Sequence, residues 1–321
     1  MLWWVNCNLP PLVSVIVPSY NQAQYIGATL DSILQQDYAH LECLVVDGGS
    51  KDNTVAVLQN YSDARLTWIS ERDKGQSDAL NKGLQRVSGE IITYLNSDDL
   101  LASGTIAFAV QYFDQHPEAD LLYGDGYFVD ARGRRISSYK GAPFDLSMCI
   151  LNGQDFPQPG TFWRRKLSQQ IGLFDVDFHY RMDFDYWIRA ALAGFHLEYV
   201  PGERAAYRLH GESKTVSQRA TFASDWEVIL SRLFEKPDLP NNLLPLKEEA
   251  FNVLDWWKTK NLWLDSKYSE ARPKLRHFLH DHKKGRQILA ATMLFDSYFR
   301  TPLTQLLTDS LRRVTGAEIF R

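Results

Sequence analysis

Short apolar runs alternate with amphipathic stretches over the first hundred residues of the chain. Four of these runs have the length and β-branched content of buried strands, and they occupy residues 12–17, 41–46, 66–69 and 91–95. The stretches between them repeat apolar residues at helical spacing. Strands that alternate with helices indicate a parallel sheet covered on both faces, so the pattern predicts an α/β fold.

The loops that follow these strands are the expected place for chemistry. In an open parallel sheet, ligands bind outside the carboxyl ends of the strands. Three of the four loops are acidic, and the loops comprise residues 18–21, 47–53, 71–78 and 96–100. The sequence therefore predicts a binding site at one edge of the sheet.

The second half of the chain has a less regular pattern. Helices and strands are predicted at residues 103–115 and 183–193, and at residues 121–129, 195–200 and 205–209, respectively. Pro and Asn concentrate in residues 235–242, which is typical of a linker. We therefore predict a main domain over residues 1–234, a linker over 235–244 and a helical extension over 245–321.

Composition and charge narrow the class of protein. The chain of 321 residues is 45% hydrophobic and 23% charged, which excludes a disordered or disulfide-scaffold protein. Its net charge of −4 argues against nucleic acid as a partner. Cys7, Cys43 and Cys149 form no CxxC pair, so we expect a reducing compartment. We also expect no signal peptide in residues 1–11 and no membrane span, since no apolar run approaches roughly 18 residues.

Two segments at strand ends carry residues suited to chemistry. Asp98 and Asp99 are adjacent carboxylates where a buried strand enters a loop, and hard oxygen ligands of this kind suit Mg²⁺ or Mn²⁺. The second segment, residues 47–54, is a glycine turn at the start of a helix, where a ligand can approach the backbone. Helix capping by Asp98, Asp99 or Asp52 is an equally open interpretation of these motifs.

Taken in order, several segments resemble a known family. VSVIVPSYN (13–21), DGGSKDNT (47–54), ERDKGQSDALNKG (71–83) and GEIITYLNSDD (89–99) are similar to the nucleotide-sugar half of a family 2 glycosyltransferase with the GT-A fold. The likeness continues through QPGTF (158–162), GLFD (172–175), MDFDYWIR (182–189) and YRLH (207–210), and it covers about residues 12–215. It implies a Rossmann-like, mostly parallel sheet flanked by helices, with nucleotide-sugar binding in residues 12–100 and the acceptor side in 101–234.

The resemblance also implies roles for individual residues. It implies a nucleoside pocket formed by Pro18, Ser19, Tyr20, Asn21, Asp47, Gly48, Glu71 and Asp73. It implies that Asp99 holds a divalent metal and that Asp98 touches the ribose or completes the metal shell. His210 is a candidate metal or diphosphate ligand and Arg208 a candidate phosphate partner. A structural histidine and a surface arginine are the alternatives.

Asp183 is implied to be the catalytic base, and helix capping is its alternative. The chain departs from the family pattern at three places. Gly48 stands where the family often has an Asp that reads a uracil edge, so the donor base stays open. Asn96 replaces an Asp at the start of the acidic stretch, and Met182 replaces a Glu before the base.

The function implied is inverting, metal-dependent transfer of a sugar from a nucleotide-diphospho-sugar to a saccharide or lipid-linked saccharide. The product would be a surface polysaccharide or glycolipid. The rivals are a nucleotidyltransferase, for which the first loop lacks the expected basic residues, and a non-catalytic sugar-nucleotide binding protein. Trp163, Arg164 and Arg165 either border the acceptor site or belong to the packed core and surface.

The C-terminal segment from residue 245 onwards is basic and rich in Trp. It carries 14 Lys and Arg against 9 Asp and Glu. Two interpretations stay open, a helical cap on the main domain and a peripheral contact with an anionic membrane. The expected location is the cytoplasm, at the inner face of the membrane if that contact exists.

Overall fold

A computed structural model describes residues 10–153, 156–211, 219–281, 283–299 and 303–304. Cys7, the rest of the N-terminal segment 1–9, and the end of the predicted extension, 305–321, lie outside the described residues. The chain divides into two compact units between Gln218 and Arg219.

The first unit contains one mixed sheet. In chain order its strands are β1 (Val13–Ser19), β2 (Leu41–Asp47), β3 (Leu66–Ser70), β4 (Ile91–Tyr94), β5 (Leu100–Leu101), β6 (Leu121–Asp130), β7 (Arg135–Tyr139), β8 (Phe162–Arg164) and β9 (Leu197–Leu209). Their spatial order is β3-β2-β1-β4-β8-β6-β9-β5, and β7 pairs with β6. The first four strands are parallel, and β8 joins them to the second half of the sheet by antiparallel pairing.

Helices flank this sheet, as the alternating pattern predicts. They are α1 (Ile26–Leu34), α2 (Thr54–Gln59), α3 (Gln76–Leu84), α4 (Thr105–Gln115), α5 (Leu146–Asn152), α6 (Arg165–Ile171) and α7 (Met182–Leu192). The predicted α/β class with a mostly parallel, helix-flanked sheet and a C-terminal helical region is therefore confirmed.

The core forms where the central strands meet the helices. Every residue of β1 is buried, because β2 and β4 pair with both of its edges and helices cover its faces. Ile26, Leu30 and Ile33 repeat at helical spacing on α1 and belong to the same apolar cluster as β1. On α3, Gly83 allows close packing, since a Cβ there would lie 2.4 Å from Cγ2 of Ile16.

The strand register brings the first three strand ends together. Ser19 at the end of β1 lies opposite Asp47 at the end of β2, and Asp47 lies opposite Ser70 at the end of β3. The loops after these strands therefore begin side by side at one edge of the sheet.

The second half differs in detail from the predicted elements. The expected strands 195–200 and 205–209 form one strand, β9, which continues through Pro201 and Gly202. A register shift against β6 between Tyr123 and Asp125 accommodates this turn-like dipeptide within the sheet. The short strand β8 was not predicted, because its three residues carry no periodic signal.

The second unit is helical and comprises α8 (Arg219–Phe234), a 3₁₀ turn (Leu244–Leu246), α9 (Lys247–Leu264), α10 (Tyr268–Phe278) and α11 (Lys284–Phe299). The predicted linker lies inside this unit, where Leu239 and Leu243 are buried and Phe234 of α8 packs near Phe251 of α9. Leu275, Phe278 and Met293 form its core together with the half-buried Trp256 and Trp263. Among the described residues, the helices are too short or too polar to cross a bilayer.

Candidate active site

The loop after β2 is organised by the carboxylate of Asp47. This residue is fully buried, and its Oδ2 accepts hydrogen bonds from the backbone N–H of Gly49 (3.2 Å) and Ser50 (2.9 Å) and from Oγ of Ser70 (2.6 Å). Oδ1 accepts a further bond from the Ser50 hydroxyl. The side chain of Asp47 thus holds its own loop and the neighbouring end of β3.

The loop after β1 is tied to the same turn. Asn21 has a positive φ of 54°, a conformation that asparagine tolerates well. Its Oδ1 accepts the N–H of Lys51 at 2.8 Å, and its own N–H donates to Oγ of Ser50 at 2.7 Å. Ser19 is buried, whereas Tyr20 is 52% exposed at the rim. Pro18 lies within β1, opposite Val46.

An open cleft of about 530 Å³ lies beside these two loops. It is lined by residues 21–25 together with Lys51 and Asp52. Asp52 is exposed, and its carboxylate joins the two loops by accepting the N–H of Ala23 and of Thr54. The cleft is large enough for part of a nucleotide-sized ligand.

The third loop brings a half-buried carboxylate against Gly48. A Cβ on Gly48 would lie 2.7 Å from Oδ2 of Asp73, so the Asp73 side chain fills the space where a side chain at position 48 would lie. Oδ1 of Asp73 accepts the N–H of Gly75 at 2.9 Å. Burial raises the pKa of Asp73 above its ordinary value. The carboxylates of Asp78 and Asp47 add to this effect, while the hydrogen bond from Gly75 and the charge of Lys82 oppose it. Glu71 is more exposed and pairs with Lys82 at 3.1 Å.

In the fourth loop, Asp99 turns inward. It is 3% exposed, and its carboxylate accepts the N–H of Arg208 at 2.9 Å and Nδ2 of Asn96 at 3.1 Å. Burial raises the pKa of Asp99 well above its usual range, and the charge of Asp98 acts in the same direction. Asp99 therefore joins the fourth loop to β9, a strand more than one hundred residues further along the chain.

Asp98 lies against His210. Its Oδ2 is 3.0 Å from Nε2 of His210, and the histidine ring packs against Tyr25 with a centroid distance of 4.6 Å. The Asp98 side chain is 20% exposed and that of His210 is 5% exposed. An oxygen and a nitrogen ligand at this separation suit a divalent cation that takes its other ligands from phosphate and water.

No group of three or more His, Cys, Asp or Glu side chains is arranged to hold a metal in the part of the chain that the structure describes. The carboxylate of Asp99, predicted to hold the metal, accepts the hydrogen bonds from Arg208 and Asn96 given above.

Arg208 is buried, unlike the surface arginine that one interpretation expected. Its Nε donates to the backbone oxygen of Asp98 at 2.7 Å, and its guanidinium lies 5.1 Å from the ring centroid of Tyr25. These contacts fix the backbone of the fourth loop beneath the Asp98 side chain.

Asp183 lies in the first turn of α7, with Oδ1 2.9 Å from the N–H of Phe184. The segment before α7 is bound to α3 at two places. Oγ of Ser77 donates to the carbonyl of Phe178 at 2.8 Å, and Asn81 exchanges two hydrogen bonds of 2.8 Å with the backbone of Phe174. The helix that carries Asp183 is therefore anchored to the helix that follows the third loop.

Asp185, two residues further on, is engaged elsewhere. Its carboxylate accepts from Nε of Arg189 at 2.8 Å, and Arg189 also binds the carbonyls of Ile171 and Leu173. The neighbouring acidic residue is therefore part of the packing between α7 and the segment after α6.

Gln158 is a buried residue of this edge to which sequence reasoning gave no role. Its Nε2 donates to the carbonyl of Tyr94 at 2.7 Å, and its backbone N–H donates to the hydroxyl of Tyr207 at 3.0 Å. Nε2 of Gln76 reaches Oδ1 of Asn96 at 2.6 Å. The motif QPGTF was the available signal for Gln158.

Two of the residues considered for the border of the acceptor site, Trp163 and Arg164, make hydrogen bonds within the fold. Trp163 is fully buried and donates from Nε1 to Oγ of Ser168 at 2.7 Å. Arg164 binds the carbonyls of Phe113 and Ala119. The packed-core interpretation therefore fits Trp163, whereas Arg164 is half-buried and bound to backbone carbonyls instead of solvated.

The chain is similar in sequence to known proteins. Residues 14–182 match the family model described as "Glycosyl transferase family 2". A glycosyltransferase of PGL/p-HBAD biosynthesis from Mycobacterium bovis is 30% identical over 56% of this chain and 69% of its own length. An uncharacterised glycosyltransferase of Rickettsia typhi is 29% identical over 56% of this chain, and the match spans 58% of that relative, less than two thirds of its length.

Two solved structures share the fold. S. aureus TarS in complex with UDP-GlcNAc superposes with a TM-score of 0.63 at 19% identity, covering 89% of each chain. The mannosyltransferase PcManGT from Pyrobaculum calidifontis, in complex with GDP-Man and Mn²⁺, superposes with a TM-score of 0.62 at 21% identity, covering 97% of this chain and 89% of its own.

Proposed function

Because the chain belongs to glycosyl transferase family 2, we propose that it transfers a sugar from a nucleotide-diphospho-sugar to an acceptor hydroxyl, with inversion at the anomeric carbon. The observation that carries the proposal is the convergence of the four acidic or polar loops at one edge of the sheet. The helix bearing Asp183 is anchored to that edge through α3.

The nucleoside half of the donor is proposed to lie over the first three loops. The residues beside its base and ribose are Pro18, Ser19, Tyr20, Asn21, Asp47, Gly48, Glu71 and Asp73. Of these residues Asn21 lines the cleft next to the first two loops, and the Tyr20 ring is exposed and can pack on a nucleoside, which supports the assignment. Asp47 contributes by holding the loop in shape. The named ligands of the TarS and PcManGT complexes support a nucleotide sugar as donor.

A divalent cation, Mn²⁺ or Mg²⁺, is proposed to bind at Asp98 and His210. Their oxygen and nitrogen atoms are 3.0 Å apart, and Asp98 is partly exposed, so both fit as ligands beside a diphosphate. Asp99 supports the pair from beneath through Arg208. When bound, the cation neutralises negative charge on the departing diphosphate. The Mn²⁺ of the PcManGT complex supports a metal of this class.

Asp183 is proposed to act as the general base. The acceptor hydroxyl gives its proton to this carboxylate while its oxygen attacks the anomeric carbon. The bond from that carbon to the diphosphate oxygen breaks in the same displacement, and the nucleoside diphosphate leaves with the electron pair. A single displacement of this kind inverts the anomeric centre.

The acceptor is proposed to be a saccharide or lipid-linked saccharide in polysaccharide or glycolipid assembly. A peripheral membrane contact at the inner face of the membrane is part of this proposal. Ile288, Phe295 and Phe299 lie on one face of α11 and are 57%, 44% and 65% exposed, which supports the membrane contact.

Sedimentation with anionic vesicles tests this membrane contact. Wild type should sediment with the vesicles, and a Phe295→Ser/Phe299→Ser variant should not. Absence of wild-type binding refutes the contact.

The first experiment on the activity is thermal stabilisation by UDP, GDP, dTDP and CMP, each with and without Mn²⁺. Binding to the folded state raises the melting temperature by mass action. Stabilisation by one nucleotide that depends on Mn²⁺ and is lost on addition of EDTA is expected. If none of the nucleotides stabilises the protein, the proposed donor site is wrong.

The role of Asp183 is tested with the matched pair Asp183→Asn and Asp185→Asn. Asp183→Asn should keep nucleotide binding and lose turnover by at least about a hundredfold, since general base catalysis contributes 10²–10⁴. Asp185→Asn removes the same charge from the same helix and should keep most of the turnover. Equal turnover in wild type and Asp183→Asn would exclude Asp183 as the base, and a wild type that binds but never turns over would indicate a non-catalytic binding protein.

A further inference from the structure

Gly48 leaves a space that a carboxylate from another loop fills. The backbone conformation at position 48 does not require glycine, because Gly48 lacks the positive φ that its neighbour Gly49 has (79°). Glycine is required at this position for lack of space, since a Cβ at position 48 would lie 2.7 to 3.0 Å from Oδ2, Cγ and Oδ1 of Asp73. The Asp73 carboxylate therefore lies directly over the end of β2, at the edge where the donor is proposed to bind.

This carboxylate has spare capacity to accept hydrogen bonds. Its hydrogen bond within the described residues comes from the N–H of Gly75 to Oδ1, which leaves lone pairs on Oδ2. No described Lys, Arg or His forms an ion pair with Asp73; the charge of Lys82 favours its ionised form without contact, and the carboxylates of Asp78 and Asp47 oppose it. Burying part of a carboxylate in such surroundings costs free energy unless a hydrogen-bond donor reaches it.

We propose that Asp73 accepts the ring N–H of the donor's nucleobase, and that it thereby selects uracil, thymine or guanine over cytosine or adenine. The inference rests on the proposed function, because it assigns a specificity role within that nucleotide site. Uracil, thymine and guanine carry an N–H on the ring nitrogen of the pairing edge, and a carboxylate can accept it. Cytosine and adenine present a lone pair at that nitrogen, which a carboxylate repels.

A purely structural role for Asp73 makes a different prediction for the Asp73→Asn variant. An asparagine keeps an oxygen to accept the N–H of Gly75, so the loop geometry is retained. Its amide nitrogen then faces the base as a donor instead of an acceptor. The variant should lose affinity for bases with a ring N–H and keep or gain affinity for cytosine, whose ring nitrogen accepts.

The test is calorimetric titration of the full chain with UDP, dTDP, GDP, CDP and ADP in the presence of Mn²⁺. Wild type should bind one or more of the first three in preference to CDP and ADP. Asp73→Asn should weaken the affinity for the preferred nucleotide at least about tenfold. The amide N–H of the variant and the ring N–H of the base are both donors, so each is left without an acceptor. CDP affinity should not fall. Asp78→Asn removes an equal charge from the first turn of α3, next to this loop, and should leave the base preference unchanged.

A relocation variant provides the second test. Asp73→Ala empties the space beside Gly48, and Gly48→Asp in that background supplies a carboxylate from the loop after β2 instead. Asp73→Ala should lose the base preference, and the double variant should regain it, because position 48 accepts a side chain once Asp73 is truncated. Melting temperatures of the variants without nucleotide show that each one folds.

The outcomes separate the inference from the proposed function. If wild type binds none of the nucleotides, the proposed function and this inference both fail. If wild type binds a nucleotide but Asp73→Asn keeps its affinity and base preference, only the inference fails. A wild-type preference for CDP or ADP would overturn it as well.

Discussion

Removing the Asp47 carboxylate is the sharpest test of how the donor edge is built. The structure makes this side chain a loop organiser, so Asp47→Ala should cost stability as well as nucleotide affinity. A direct ligand contact alone would instead cost affinity and leave stability nearly unchanged. Asp47→Asn should have a smaller effect on both, because the asparagine oxygen can still accept the hydrogen bonds now made to Oδ2.

The magnitude follows from the four hydrogen bonds that end on Asp47. The two N–H groups of Gly49 and Ser50 and the hydroxyls of Ser50 and Ser70 each lose a charged acceptor in the alanine variant. Hydrogen bonds to charged groups contribute about 1.5–3 kcal/mol each when buried. Water can reach Ser70 and part of the turn, so the total loss should be about 3 kcal/mol. Asp47→Asn should lose about 1 kcal/mol.

Urea denaturation with linear extrapolation measures both values. Asp52→Ala is the matched control, because Asp52 lies in the same loop and also accepts several hydrogen bonds but is exposed. We expect it to cost about 1 kcal/mol. A loss below 1 kcal/mol for Asp47→Ala, or equal losses at positions 47 and 52, would refute the claim that burial of this carboxylate holds the loop.

Three further predictions concern other contacts of the first unit. Burial would raise the pKa of Glu42, but hydrogen bonds from Ser14, Ser88 and Gly89 lower it below the ordinary 4.5, so Glu42→Gln should lose about 1 kcal/mol at pH 7. In urea titrations, that difference should vanish as the pH falls below 4.5 and through the lowered pKa, and a constant difference would contradict it. Gly83→Ala should cost about 1–3 kcal/mol and lower the melting temperature by several degrees, since its Cβ meets Ile16 at 2.4 Å; an unchanged melting curve would contradict this. Asn81→Ala should cost about 2–3 kcal/mol of stability, because it removes both hydrogen bonds to the backbone of Phe174. It should also reduce turnover, measured by kinetics, more than nucleotide affinity, measured by calorimetry. Equal losses of turnover and affinity would disprove a positioning role.

The sequence was informative where local pattern determines structure. The first four strands were predicted within two residues of their observed ends, because each is a short apolar run, and β1, β2 and β4 are buried nearly throughout. The position of the candidate edge followed from their parallel order. The fusion of two predicted strands into β9 was missed, because Pro201 and Gly202 read locally as a turn and only the pairing with β6 keeps them extended.

Within the site, the sequence identified the residue types but not which side chain turns inward. Asp98 and Asp99 are equivalent in a local pattern. Asp99 is drawn into the core because the N–H of Arg208, on a strand distant in sequence, needs an acceptor there. The same holds for Asp73, whose position over Gly48 depends on the packing of the third loop against the second. Long-range packing of this kind has no signature in the spacing of residues.

These contacts divide the acidic residues of the edge into two kinds. Asp47 and Asp99 are buried, and the carboxylate of each accepts hydrogen bonds from backbone N–H groups of loops or strands that the sheet brings together. Asp73 and Asp98 lie beside them, remain partly exposed and have fewer protein partners. Because the buried carboxylates already fix the backbone, the exposed ones are held in place before any ligand arrives. A site of this construction does not need the ligand to order its loops, so binding energy is available for selecting the ligand.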